Sequence, residues 1–83
     1  MIAAAIKTIP LISAQPGVRY EIVSVSSGQV VRGRLFAMGF VTGTAIDVVR
    51  QEPGKSLILD IFGGRLALGR EMAENILIRV LER

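Results

Sequence analysis

The chain contains no cysteine and no histidine, and its aromatic residues are three Phe and one Tyr with no Trp. These absences exclude a disulfide framework, a thiolate or imidazole zinc site, a Cys or Ser-His nucleophile and haem held by His or Cys. Any metal would rest on carboxylates, carbonyls and water, which suit harder cations and bind transition metals weakly. The lack of cysteine fits a reducing compartment. With so few rings, the core is expected to be Ile, Leu and Val, which suits short buried strands better than a ring-lined ligand pocket. No repeat, low-complexity tract or linker is visible.

What is present fits one small domain. A chain of 83 residues has no room for a separate catalytic domain and buries only about 60–65% of the surface that its unfolded form exposes. The apolar stretch from Met1 to Ile12 is interrupted by Lys7 and Pro10 and falls well short of the ~20 residues that span a bilayer, so it reads as part of the fold. Within it, Thr8 to Ala14 is expected to form an extended entry segment, with Thr8 capping a helical turn that has Pro10 near its start.

Gln15-Pro16-Gly17 signals a turn, and Val18 to Val25 then alternates with Val18, Tyr20 and Ile22 on one face, the period of a half-buried strand. Val30 to Met38 places Val31, Leu35 and Met38 at helical spacing, with Arg32 and Arg34 reaching outward and Gly33 weakening the helix by about 1 kcal/mol relative to Ala. Gly39 is expected to stop that helix and Gly43 to close a tight turn, because glycine takes the positive φ that both positions need. Thr44 to Gln51 reads as a strand with Ile46 and Val48 buried. Pro53-Gly54 suits the centre of a type II turn. Ser56 to Phe62 and Arg65 to Leu68 read as a hairpin joined by Gly63-Gly64. Arg70 to Asn75 resembles one helical turn, and Ile76 to Leu81 a last strand. About five short strands with two or three short helices point to a mainly β, small antiparallel barrel, which would leave no exposed edges. The alternative is an open sheet covered by the helices.

Candidate functional residues each have a plainer explanation. Leu35, Met38 and Phe40 could dock a partner, but apolar residues at helical spacing usually form core. Arg32 and Arg34 could pair with acids on a partner or simply be solvated. The ten Lys plus Arg exceed the seven acids by three charges, no basic run exceeds two residues, and Tyr20, Phe36, Phe40 and Phe62 show no stacking-platform spacing, which disfavours nucleic acid. Glu71 with Glu74, and Asp47, Asp60, Glu52 and Glu21 elsewhere, are the possible metal ligands, yet two carboxylates three apart on a helix are usually solvated surface. Asp47 and Asp60 sit in separate expected strands, and nothing in the sequence shows that they meet as an acid/base pair. Gly63-Gly64 lacks the strand-to-helix context and the following Lys of a phosphate-binding loop. The chain reads as a binding module and not an enzyme.

The ordered set Gly17, Tyr20-Glu21-Ile22-Val23, Arg34-Leu35-x-x-Met38-Gly39-Phe40-x-x-Gly43-x-x-Ile46-x-Val48, Gly64, Leu66-Ala67-Leu68 and Arg70-x-x-Ala73-x-x-Ile76-x-Ile78 resembles the ferrous iron transport protein A (FeoA) family. The resemblance runs from about Leu11 to Val80. It implies a single SH3-like barrel domain over residues 1–83 and a small cytoplasmic accessory protein of bacterial ferrous iron uptake. Its expected partner is the FeoB-type membrane transporter with its GTP-binding domain, reached at the inner face of the membrane. Arg32, Arg34, Met38 and Phe40 are the expected partner-binding residues, and Gly17, Gly39, Gly43, Gly54, Gly63 and Gly64 the turn and fold determinants. No cofactor is required, although the resemblance allows weak divalent transition-metal binding. Two positions depart from the family pattern: Thr42 replaces a common proline, which would loosen the turn, and Gly33 replaces a frequent basic residue. Related SH3-like domains end metal-dependent repressors. The competing readings are therefore a regulatory module of that kind or a self-associating structural domain.

Overall fold

The computed structural model describes residues 7–26, 28–52 and 56–81. It contains strands β1 (Ile9–Pro10), β2 (Arg19–Val25), β3 (Ala45–Glu52), β4 (Ser56–Ile61), β5 (Gly64–Gly69) and β6 (Ile76–Val80), with helices α1 (Gln29–Ala37) and α2 (Arg70–Ala73). One antiparallel sheet runs in the order β1-β6-β2-β3-β4-β5. The fold is mainly β and SH3-like, as expected, with six strands where about five were read.

Alternation decides which face of each strand is buried. Tyr20 and Ile22 in β2, Ile46 and Val48 in β3, Leu57, Leu59 and Ile61 in β4 and Ile76 and Ile78 in β6 join Leu11, Leu35, Phe40 and Leu68 in one core cluster. No polar side chain is buried among the described residues. The sheet curls because two strands carry an extra residue. The register shifts at Val23 of β2 against β6 and at Val49 of β3 against β4, and such bulges bend the strand and increase its twist.

The curl brings the two edges near each other without joining them. No β1–β5 ladder forms among the described residues, so the small SH3-like barrel is partly open and keeps two edge strands. The α2 helix spans the seam, touching β4, β5 and the 3₁₀ turn Leu11–Ser13, with Ala73 fully buried there. The entry segment also differs. Pro10 fixes an extended residue (φ −68°, ψ 146°) ahead of the 3₁₀ turn, whose N-cap makes no side-chain bond, so Thr8 is not a cap. Gln51 instead reaches from β3 to donate its amide to the carbonyl of Ile12 at 2.6 Å. The turn expected at Pro53-Gly54, and with it Gly54, lies outside the described residues.

Candidate functional site

The surface around the end of α1 is built by its stop signal. Gly39, at φ 102°, lies just past the helix. Its N–H donates to the carbonyl of Phe36 at 3.0 Å and that of Phe40 to the carbonyl of Leu35 at 2.9 Å. This is the Schellman arrangement, which satisfies carbonyls the helix would otherwise leave open and sets the residue after the glycine against the one three from the end. Phe40 and Leu35 are that apolar pair, and both lie in the core. Phe40, 2% exposed, therefore cannot present its ring to a partner, which corrects its place among the binding residues.

The chain then turns over Val41–Thr44, closed by a 3.0 Å bond from the Thr44 N–H to the Val41 carbonyl, with Gly43 at φ 93° as a type II turn requires. Thr42 does not loosen it: its hydroxyl donates to the carbonyl of Val23 at 3.2 Å and ties the turn to β2. Gly17 and Gly63 also have positive φ, whereas Gly64 does not and begins β5. The hairpin expected at Gly63-Gly64 is thus present one residue earlier, with Ile61 paired to Gly64 and Phe62-Gly63 as the turn.

That shift puts Phe62 at φ 54°, a conformation that hairpin turns of this kind usually fill with Asn, Asp or Gly. Its ring lies over Gly39, 2.6 Å from where a Cβ on that residue would be. Phe62 nevertheless remains 77% exposed and Phe36 67%, with Met38 at 37%. Arg32 and Arg34 are exposed and enter no ion pair among the described residues. Beside them, Val25, Gln29, Arg32, Gly33, Phe36, Phe40, Val41 and Thr42 line a groove of about 410 Å³. From the sequence, Phe36 and Phe62 were weighed only as stacking residues for nucleic acid and not as part of this surface. The available signals were that Phe36 is one position off the buried stripe and that Phe62 directly precedes the glycine pair.

On the outer face of the sheet, Arg19, Asp47, Asp60 and Arg65 follow one another across β2, β3, β4 and β5 in register. They line a second groove of about 700 Å³ that reaches Phe62. Asp47 and Asp60 face each other across β3 and β4, which the sequence left open, but each carboxylate is held by its own guanidinium: Arg19 to Asp47 at 3.0 Å and Arg65 to Asp60 at 2.9 Å. The hydrogen bond from Arg65, then its charge, holds the Asp60 carboxyl below the usual range. Glu21 is bound by Arg79, Glu52 by Arg50 and Glu74 by Arg70. Among the described residues no group of three or more acids could hold a metal ion, and no helix is long and apolar enough to cross a membrane.

A family model described as the FeoA domain matches residues 9–80. The chain belongs to the FeoA domain family. It is similar to a crystal structure described as an iron uptake regulatory protein (FeoA), at 29% identity and a TM-score of 0.84, with 90% of this chain and 100% of that one covered. The FeoA protein from Chlorobium tepidum, solved by NMR, matches at 32% identity and a TM-score of 0.80, covering 89% and 71%. A manganese-dependent transcriptional repressor shares the fold at 15% identity and a TM-score of 0.84, over 94% of this chain and 44% of that one. Comparison with curated proteins gave no match. The Arg34 to Gly43 stretch that carried the resemblance thus lies inside the FeoA match, and in the fold it forms the helix end, its stop and the following turn.

Proposed function

We propose that this FeoA-domain protein is a cytoplasmic accessory protein of bacterial ferrous iron uptake. It acts by binding and not by catalysis, and its partner is the cytosolic region of the FeoB-type transporter. The observation that carries this reading is the surface at the end of α1, where Arg32 and Arg34 have no acidic partner among the described residues and stand beside exposed Phe36, Met38 and Phe62. Aromatic and Arg residues are the usual anchors of protein interfaces. A module without chemistry of its own changes a transporter only by binding one of its states more tightly than another. The reading needs no resident cofactor.

Co-purification of the full chain with the transporter's cytosolic region, together with cellular uptake of ferrous iron, tests it. Arg34→Glu is expected to weaken binding by about tenfold while the protein stays folded. If Arg34→Glu and Met38→Ser, both folded, left binding and uptake at wild-type levels, the surface would be wrongly assigned. A second reading, self-association, is favoured by the outer edge of β5, which pairs with no other strand among the described residues, since open edges template further strands. Light scattering over a concentration series checks it, and a monomer throughout removes it.

A further inference from the structure

The side of α1 that faces away from the core is not the polar face that a surface helix usually carries. Successive residues are rotated by about 100°. With Leu35 buried, Val30, Gly33 and Ala37 lie on the opposite side, and all three are exposed, Val30 at 78%. Phe36 stands on the flank shared with Arg32, and Arg34 on the other flank with Met38.

Gly33 sharpens the point. Glycine inside a helix is destabilising relative to alanine, and the fold offers no reason for it: a Cβ built there meets nothing within 4 Å. What the missing side chain does is leave bare backbone along the groove between Phe36 and Val41. Glycine is the residue that allows such a close approach by another group.

Charge selects the occupant. The α1 helix carries no acidic residue in its sequence Gln-Val-Val-Arg-Gly-Arg-Leu-Phe-Ala. Glu21, Asp47, Glu52, Asp60 and Glu74 are each held by another arginine, and Glu71, the described acid outside these ion pairs, stands alone on the one-turn helix α2. A second copy packed α1 on α1 would oppose the same guanidiniums across a two-fold axis and repel. An anionic lipid surface has the right charge but no side chains to fill a groove. We propose that the outward face of α1 and the groove between Phe36 and Val41 bind an acidic amphipathic helix of a protein partner. Its apolar side chains lie over Val30 and Gly33 and enter the groove, and its carboxylates meet Arg32 and Arg34. The inference rests on the partner-binding reading above and names the chemistry of the segment bound.

The test has two arms. In cells, a photocrosslinker placed by Val30→benzoylphenylalanine is activated and the adduct is mapped by mass spectrometry. An acidic helical segment of the transporter supports both readings, and such a segment in another protein supports this one while overturning the transporter. An adduct to a second copy of this chain, to lipid or to a segment without acidic residues overturns this one, as does no adduct. In vitro, the full chain is titrated with the transporter's cytosolic region. Gly33→Leu, for which the fold has open space, is expected to weaken binding by about tenfold or more while the protein stays folded. Gly33→Ala is expected to melt a few degrees, roughly 4 °C, higher than wild type. If the transporter region binds and Gly33→Leu and Arg32→Glu leave its affinity unchanged, the groove is the wrong site and the transporter reading stands.

Discussion

Gly39 answers two demands at once: a φ of 102° and a surface on which the Phe62 ring can lie. The first is the stiffer. An L side chain in the left-handed region costs about 1–2 kcal/mol, whereas the exposed Phe62 ring can swing aside. Gly39→Ala is therefore expected to lose about 1–2 kcal/mol in denaturant unfolding, and adding Phe62→Ala is expected not to restore it. Recovery of most of the loss in the double variant would show that the ring clash dominates. Tyr20 is the other residue with a separable role. Its ring is core, and its hydroxyl accepts a 2.9 Å bond from the Gln15 N–H. Tyr20→Phe keeps the packing and leaves that donor without its acceptor, so about 1 kcal/mol of stability should disappear. At this scale the helix stop and the Gly43 turn were legible, because only glycine fits them cheaply. Phe62 was not: a Gly-Gly pair offers two turn registers, and the choice is made by the pairing of Ile61 with Gly64 across the hairpin.

Among the elements, the strands with one buried face were readable from alternation alone, as in Tyr20-Ile22 and Ile46-Val48. The helix was readable from Leu35 and its stop, but its outward face was not, because Arg32 and Arg34 in the sequence suggest a polar surface that Val30, Gly33 and Ala37 do not supply. In the entry segment the extended start and the helical turn after Pro10 were readable and only the Thr8 cap was misread: Pro10 itself precedes the turn, held extended by pairing with β6. The bulges at Val23 and Val49 leave no mark in a hydrophobic pattern. The one-turn helix α2 has the largest structural role relative to its length, since Ala73 plugs the seam between the sheet edges. Ala73→Leu should overfill that site and cost about 1–3 kcal/mol, with increased aggregation on light scattering as the β5 edge opens. A variant as stable and as monodisperse as wild type would show that the seam has slack.

For the whole molecule, charge placement was beyond the sequence because it depends on register: Asp47 meets Asp60, and each meets its arginine, only once β2 to β5 are aligned. The sign of the resulting pH dependence follows. The folded Asp60 carboxyl is held low by Arg65. Its contribution is present above the ordinary carboxyl value of about 4 and is lost as pH falls through the lowered one. With no His or Cys side chain, nothing of that kind titrates between about pH 5 and 8. Melting temperature should be level across that range and fall in acid, with a shallower fall in Asp60→Asn. A step near neutrality would contradict this account.

The pairing of the first strand with the last has a practical meaning. Ile9 lies opposite Ile78 and Pro10 opposite Leu77, while Val25, from which the chain goes on to α1, lies opposite Ile76. The described chain therefore enters and departs beside Val80, at the far end of β6 from the root of α1. The two ends of the described chain share one corner of the sheet, apart from the residues that lead into α1. Pull applied between Lys7 and Leu81 would thus load β1 against β6 first, and would reach α1 only after that pairing had given way.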